Sequence, residues 1–323
     1  MRNYHVDIYT TSQELPELLE GNFFHSRELF CILEKVPGDK PLMAVASQEG
    51  AVVGQMLAII HRRGSLMPPY LYTHAHVHGE GCYAKDEDEI FALLLKALTL
   101  RLRHRLCFYV EFSDIQKKMF GYRYFRHLGY IPIAWQEIRN SLHSRTPEER
   151  LSEKQHTVIQ RMIDKGVGFH EVYDEEEISQ FHDLLKDYYR LKIRRFVPSK
   201  EFYSELTKNK NAHVYVTTYQ GKVIGGSACV ISHKGAYLWY AASKRKTFKR
   251  FHPDTMTIWF AIKHAYDLGC EHFNFMDAGL PWRGNQYREF ILSFGGKPIA
   301  KYRWFKFYSG IINKIFRWLY HDK

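Results

Sequence analysis

Two stretches of this chain are versions of each other, and that repeat constrains the fold more than any other feature. Residues 50–60 read Gly-Ala-Val-Val-Gly-Gln-Met-Leu-Ala-Ile-Ile, and residues 221–231 read Gly-Lys-Val-Ile-Gly-Gly-Ser-Ala-Cys-Val-Ile. Gly50 and Gly221, Val52 and Val223, Gly54 and Gly225, and Ile60 and Ile231 coincide at one fixed offset. An apolar run and a turn ending in Gly precede each segment. After each come a strand, a long helix, a strand, a shorter helix and a glycine pair or Gly-Tyr (Gly129-Tyr130; Gly295-Gly296). A repeat of this length means two copies of one domain, not a solenoid of small units. Ligand clefts favour the interfaces of such domains.

The length of 323 residues accommodates two domains, expected over 1–145 and 146–309, with a C-terminal helix at 310–323 packed on the first. The chain carries 46 Lys and Arg against 35 Asp and Glu, a net charge of +11 that favours anionic partners. Five widely spaced cysteines without a Cys-x-x-Cys point to free thiols and a reducing compartment. The first residues, Met1 to Asp7, lack the apolar core of a signal peptide, and no stretch has the roughly 18 apolar residues of a membrane span. The expectation is a cytoplasmic protein.

Periodicity and turn residues place the elements. Leu42–Ser47 and Val52–Ile60 read as a hairpin, Glu87–Arg101 as a helix, Cys107–Phe112 as a strand and Ile115–Leu128 as a helix stopped by Gly129. Residues 146–203 are charged and mostly helical, over Pro147–Gly166 and Glu175–Lys192. The second copy reads as strands Val214–Tyr219, Val223–Ser232 and Ala236–Ala241, helix Asp254–Leu268, strand His272–Met276 and helix Asn285–Phe294. A last strand, Pro298–Trp304, and a helix, Gly310–Tyr320, close the chain.

This order of elements is that of the GNAT acyltransferase fold. The fold class expected is α/β: two tandem GNAT-like domains, each a mixed twisted sheet flanked by helices. In that fold two central strands splay apart, and a backbone N–H at the splay can hold an acyl carbonyl as charge develops on it. The following helix receives donor phosphates at its N-terminus. Here that helix is Asp254–Leu268, and Lys244, Arg245, Lys246, Lys249, Arg250 and His252 stand just before it. They are the candidate donor-binding residues, for the phosphates of coenzyme A or an RNA backbone. The Gln/Arg-x-x-Gly-x-Gly/Ala loop of ordinary acetyl-CoA enzymes is missing, and the equivalent first-copy loop, Gly79 to Asp88, is acidic.

Several segments extend the resemblance to the Fem family of peptidoglycan-bridge aminoacyltransferases, which are tandem GNAT proteins. Ser152–Val167 resembles the family's helix after the first domain. Phe181–Leu206, with its basic pair Arg194-Arg195, resembles the following segment. His264–Gly269 followed by Phe273–Gly279 resembles its helix–strand–glycine pattern, and Phe290 through Gly296 its Phe-Lys-x-x-Phe-Gly-Gly signature. The signature's Lys position holds Ile291, and Arg288, on the same helix face one turn earlier, is the candidate replacement. The family's Gln-Ser-x-x-Trp motif appears as His25-Ser26-Arg27-Glu28-Leu29, and the Lys expected after it is Leu33, with Lys35 close by. The resemblance implies transfer of an amino acid from aminoacyl-tRNA to the amine of a peptidoglycan precursor.

Amine acylation needs an unprotonated amine and a stabilised oxyanion. Asp277, ending a strand beside the expected cleft, is a candidate proton acceptor, and Tyr240 on the splayed strand a candidate donor to the leaving group. Arg283, between Trp282 and Tyr287, suits stacking and phosphate contact. Acceptor contacts are expected at His74, His76, Arg194, Arg195, Arg283 and Tyr287. The run His74-Ala75-His76-Val77-His78 puts three imidazoles on one strand face, with Glu80 as the sole evident carboxylate partner, and no metal is assigned to it. The aromatic and basic C-terminal run from Trp304 to Leu319 is expected to dock on the protein body, with a membrane surface and its lipid-linked acceptor as the other reading.

The reading is an aminoacyl- or acyltransferase acting on an amine of a cell-envelope precursor, nucleotide- or lipid-linked. It would use aminoacyl-tRNA or acyl-CoA as donor, with no tightly bound cofactor and no obligate protein partner. Two alternatives stand beside it: an acyl-CoA-dependent N-acyltransferase acting on a nucleotide-linked sugar or surface-polysaccharide precursor, and a non-catalytic binding protein descended from such enzymes.

Overall fold

The computed structural model describes residues 4–64, 71–172, 174–190, 196–281 and 284–320, without the side chain of Arg63. The chain separates into two compact units, residues 1–136 with 300–323, and residues 137–299.

Unit 1 begins with strand β1 (His5–Tyr9) and helix α1 (Arg27–Lys35). Strands β2 (Asp39–Gln48), β3 (Ala51–Gly64), β4 (Leu71–His78) and the short β5 (Cys82–Tyr83) follow. Helix α2 (Glu87–His104), strand β6 (Tyr109–Ser113) and helix α3 (Tyr122–His127) lead into β7 (Ile131–Ser141). The chain passes into unit 2 within β7. There it forms α4 (Glu153–Asp164), β8 (Val167–Glu171), α5 (Glu175–Tyr189) and α6 (Lys200–Leu206). Strands β9 (Ala212–Tyr219), β10 (Lys222–Ser232) and β11 (Gly235–Ser243) precede α7 (Pro253–Asp267), β12 (His272–Phe275) and α8 (Gln286–Leu292). Strand β13 (Lys297–Phe307) carries the chain back to unit 1, where α9 (Gly310–Leu319) ends it.

The sheet of unit 1 runs β1-β2-β3-β4-β6-β13, and that of unit 2 runs β7-β12-β11-β10-β9-β8. The division falls before Arg145 because Ile138–Ser141 of β7 pair with β12. It falls before Gly310 because Trp304–Phe307 of β13 pair with β6 in unit 1. A third difference concerns the helix expected over Ile115–Leu128, which is confined to Tyr122–His127. Gly121 takes φ 61° there, and a Cβ on it would meet the Phe91 ring at 2.2 Å, so the chain turns before the helix starts.

The repeated glycines now have physical reasons. Glu49-Gly50 and Gln220-Gly221 each place two consecutive residues at positive φ, the type I′ hairpin that matches strand twist. Gly54 and Gly225 each lie under the first turns of the central helix. A Cβ on Gly54 would meet Ile90 Cγ2 at 2.6 Å, and one on Gly225 would meet Thr257 Oγ1 at 2.1 Å. Each copy thus lowers its helix onto its sheet at the same point. The pairing irregularity between Ala46 and Ser47 on β2 and that between Val223 and Gly225 on β10 fall at equivalent places.

The amino-terminal segment of unit 1 is fastened by side-chain bonds to strand β3. Gln55 Oε1 accepts from Leu19 N (2.7 Å) while its Nε2 donates to Leu19 O (2.9 Å) and His25 O (2.8 Å). Leu57 N donates to His25 Nδ1 at 3.0 Å, and Ser26 Oγ caps α1 by accepting from Leu29 N. The His25-Ser26 segment is therefore an anchor and a helix cap. Leu33, at the family's Lys position, is core.

His25 is fully buried, and burial first, then the neighbouring charge of His78, pushes its pKa down to about 3. The unfolded chain takes up a proton there near the ordinary pKa of about 6.5, whereas the folded chain does not. The neutral imidazole's contribution is complete above that value and is lost as pH falls toward 3. Each pH unit below about 6.5 is expected to cost about 1.4 kcal/mol from this group. Urea unfolding at pH near 7.5 and 5.5 checks this. The variant His25→Gln, which retains an acceptor for Leu57 N, should show a flatter dependence.

Candidate active site

In unit 2, β11 pairs in parallel with β12 only from Gly235 to Leu238. Strand β12 ends at Phe275, whereas β11 runs on to Ser243 against β10 alone. The shift in register between Ala228 and Cys229 leaves Trp239 as an extra residue just where pairing with β12 stops. The two strands part there, and a cleft opens beside the exposed edge of β11. Among the described residues it is lined by Tyr188 and Tyr189 of α5, Ala241 to Ser243 of β11, Asp254, Thr257 and Ile258 of α7, and Tyr287 and Phe290 of α8.

The edge of β11 has a usable amide. Tyr189 Oη donates to Ala241 O at 3.2 Å, so the Ala241 carbonyl faces the cleft. The N–H and C=O of one strand residue point to the same side, so the Ala241 N–H faces it too. An acyl oxygen held there would meet a fixed donor as it becomes an oxyanion. Asp254 is the carboxylate among the lining residues.

The basic loop sits directly before α7. Phe251 packs on the Tyr219 ring (4.0 Å between centroids), and Phe248 and Phe251 pack on the core of unit 2. These anchors hold the loop down. Lys244, Arg245, Lys246, Lys249, Arg250 and His252 all stand exposed. Arg245 Nε comes no nearer than 4.0 Å to Asp254 Oδ2 in a largely exposed pair, a weak tie that leaves the guanidinium accessible. The N-terminus of α7 itself is poorly equipped to cradle a pyrophosphate. Pro253, its first residue, has no N–H, and Asp254 Oδ1 takes the N–H of Thr255 at 3.0 Å.

The other expected site residues are distributed differently. Tyr287 lines the cleft. Tyr240 does not: it lies in an aromatic cluster, edge-on to Tyr203 at 5.7 Å and beside Trp239. Arg288 is buried, and its Nη1 donates to Leu280 O at 2.8 Å, so it ties down the loop after β12. Asn285 holds the same loop by donating to Ala278 O. Asp277, half-buried at the start of that loop, is not among the residues lining the cleft. Ile291 is fully buried in the core of unit 2. Arg194, Arg195 and Arg283 lie outside the described residues.

Unit 1 presents a second polar constellation, on the sheet face opposite α2. His74 is buried and stacked on Tyr109 at 5.0 Å. His76 Nε2 lies 2.8 Å from Ser113 Oγ, and His78 Nδ1 lies 2.9 Å from Asp114 Oδ2. Ser113 Oγ also donates to Asp114. Burial, then the charges of His78 and Arg303, keep the His76 imidazole neutral by lowering its pKa well below the ordinary value. The carboxyl of Asp114 is held low against the cost of burial by its hydrogen bond with His78 and the charges of His78 and Arg303. His76, His78 and Asp114 bring their donor atoms within 4.8 Å of one another, a set a metal ion could use. Glu80, the carboxylate expected beside these histidines from sequence, instead accepts from Gln116 N through Oε2. The parallel pairing of His78 with Ser113 is what delivers Asp114. Within the cluster the imidazoles are already bonded to Ser113 and Asp114, and Arg303 adds a positive charge nearby.

At the start of α2 the first copy carries Asp86, Glu87, Asp88 and Glu89 around a shallow depression. That charge is opposite in sign to the basic loop before α7 of unit 2. The five cysteines are all free, and among the described residues no helix is long and apolar enough to cross a membrane.

Residues 154–300 match the family model of the acetyltransferase (GNAT) domain. Unit 2 is a GNAT acyltransferase domain. No curated protein sequence matches the chain. Among solved structures the chain is similar to FemX, at 12% identity with a TM-score of 0.64, covering 97% of this chain and 99% of that one. It is also similar to L-PGS from Bacillus licheniformis, at 14% identity and a TM-score of 0.55, covering 94% and 99%. A tandem GNAT protein from the clavulanic acid biosynthesis pathway aligns at 10% identity and a TM-score of 0.52, covering 87% and 88%. At such identities the likeness is one of fold: the α/β, tandem GNAT architecture expected from the repeat.

Proposed function

We propose that this acyltransferase moves an aminoacyl group from aminoacyl-tRNA onto a primary amine of a cell-envelope precursor of the peptidoglycan type. One observation carries the choice of donor. An exposed cluster of five Lys and Arg residues borders the cleft, while the α7 N-terminus beside it has a proline and a carboxylate where a pyrophosphate would need free amides. That combination suits a large polyanion gripped along its backbone more than a compact nucleotide diphosphate. The likeness in fold to FemX and L-PGS supports the same reading.

In this mechanism the amine nitrogen attacks the ester carbonyl carbon in the cleft. The Ala241 N–H holds the carbonyl oxygen as it becomes negative. Asp254 takes the proton that the amine loses as the C–N bond forms. The ester C–O bond then breaks, and the proton passes on to the departing ribose oxygen. Tyr287 and Phe290 wall the cleft.

The test is binding of the purified protein to bulk charged tRNA and to coenzyme A, at low and moderate salt. The expected result is tRNA binding that weakens steeply with salt, and a loss of about tenfold or more in Arg245→Glu combined with Lys249→Glu. Tight coenzyme A binding without tRNA binding would move the protein to acyl-CoA chemistry. Binding of neither, with no transfer, would favour the non-catalytic reading.

A further inference from the structure

Helix α9 is amphipathic, and it is docked the wrong way round for a helix that serves only the fold. Its inward side is the mixed one. Phe316 stacks on Phe307 at 4.2 Å, Asn313 Nδ2 donates to Gly129 O at 3.3 Å, and Asn313 Oδ1 accepts from Phe307 N at 3.1 Å. The outward side carries Ile311, Lys314, Ile315, Trp318 and Leu319, spaced i, i+3, i+4, i+7 and i+8 along one stripe. Ile311 is 74% exposed and Trp318 77%. A helix facing water normally turns such a stripe inward, so this one awaits something apolar.

The surroundings identify what covers it. Phe307 pairs with Tyr109, and Tyr308 N donates to Phe108 O, so the start of α9 shares an edge of unit 1 with the turn after α2. That turn exposes Leu106 at 86%, beside Arg101, Arg103 and Arg105. Gly129, whose carbonyl accepts from Asn313, has Lys306 and Arg317 beside it, and Arg126 lies three residues earlier in the chain. Lys306, Arg317 and Arg103 lie close enough that, after burial, the two arginines further lower the pKa of the Lys306 ammonium. The segments 97–108, 126–130 and 304–320 together hold Arg101, Arg103, Arg105, Arg126, Lys306, Lys314 and Arg317 and contain no Asp or Glu.

We infer that this face of unit 1 binds the surface of an anionic lipid bilayer, with Ile311, Ile315, Trp318 and Leu319 sunk at the headgroup–acyl boundary and the surrounding arginines and lysines on the lipid phosphates. An apolar stripe with an aromatic anchor, bordered by segments that carry seven Lys and Arg and no Asp or Glu, is the chemistry of an interfacial helix. A protein partner covering the stripe would not require these three segments to carry positive charge alone. The inference is independent of the donor and acceptor proposed above, because its readout is lipid binding and not transfer.

The experiment uses the full chain and vesicles of phosphatidylcholine, alone or mixed with phosphatidylglycerol. Co-sedimentation is expected with the mixed vesicles, falling by at least about tenfold on phosphatidylcholine alone, since each basic residue near an anionic surface strengthens binding by several-fold. Ile315→Glu with Leu319→Glu should abolish binding, and thermal unfolding checks that these exposed substitutions leave the fold intact. Trp318→Phe should retain binding while removing the lipid-induced blue shift of tryptophan fluorescence. Failure of the unaltered protein to sediment with anionic vesicles would overturn the inference, as would binding that survives the double substitution. Self-association abolished by the same substitutions, without lipid binding, would assign the face to a second copy of the chain.

Discussion

Replacing Asp254 with Asn is expected to slow acyl transfer by about 10²–10⁴-fold, the usual contribution of a positioned general base. Binding of the donor should be nearly unchanged. Asn has the shape of Asp and can still accept the Thr255 N–H, so the first turn of α7 survives. What is lost is the ability to take the proton from the attacking amine. Single-turnover transfer with saturating donor measures this directly. A variant that keeps a tenth or more of the activity would remove Asp254 from the mechanism and return attention to Asp277, whose loop starts at the end of β12. Asp277→Asn is the matched comparison. It leaves the cleft-lining set untouched and should cost far less.

Ile291→Lys is expected to destabilise the protein by about 3–5 kcal/mol instead of restoring activity. Ile291 is fully buried on α8, within the apolar cluster that includes Ile138, Phe273 and Phe294. A lysine there loses the packing of the isoleucine and must either bury its ammonium or distort the helix to reach water. The melting temperature should fall by about 6–20 °C, given about 2–4 °C per kcal/mol for a domain of this size. Thermal unfolding and transfer assays on one preparation separate the outcomes. A stable variant with raised activity would show that the side chain at this position can reach the cleft. Because Ile291 is fully buried, a lysine placed there is expected not to supply the cation that the resemblance to the Fem signature leads one to expect.

The repeat was legible because its marks are local. A type I′ turn needs two residues at positive φ, and Glu49-Gly50 and Gln220-Gly221 announce it within a few positions. The helix starts were legible for the same reason: acids in the first turn of α2, and Pro253 at the first position of α7. The exposed basic loop was legible because five charges in seven residues seldom leave solvent. The site itself was only partly so. Of the residues that line the cleft, Tyr287 is among the candidates from sequence, whereas nothing in the local sequence of Ala241, Tyr189 or Asp254 singles them out. Tyr240 and Arg288 drew attention as polar groups near the right strand and helix, yet one faces an aromatic cluster and the other a loop carbonyl. On a strand, one residue's step decides which face a side chain occupies.

By itself, the sequence determined that there are two copies of one α/β domain, where their hairpins turn, which copy gathers positive charge, and that the chain is strongly basic. Each of these depends on backbone preference or on charge along a short stretch, which residue identity sets directly. Only the tertiary structure decided which groups meet. The parting of β11 from β12 brings α5, α7 and α8 to one cleft, although Tyr189 and Tyr287 stand far apart in the chain. The parallel pairing of β4 with β6 joins His78 to Asp114. The docking of Phe316 and Asn313 determines that the apolar stripe of α9 faces outward. An amphipathic pattern shows that a helix has two faces, but which of them is covered depends on contacts made by residues distant in sequence.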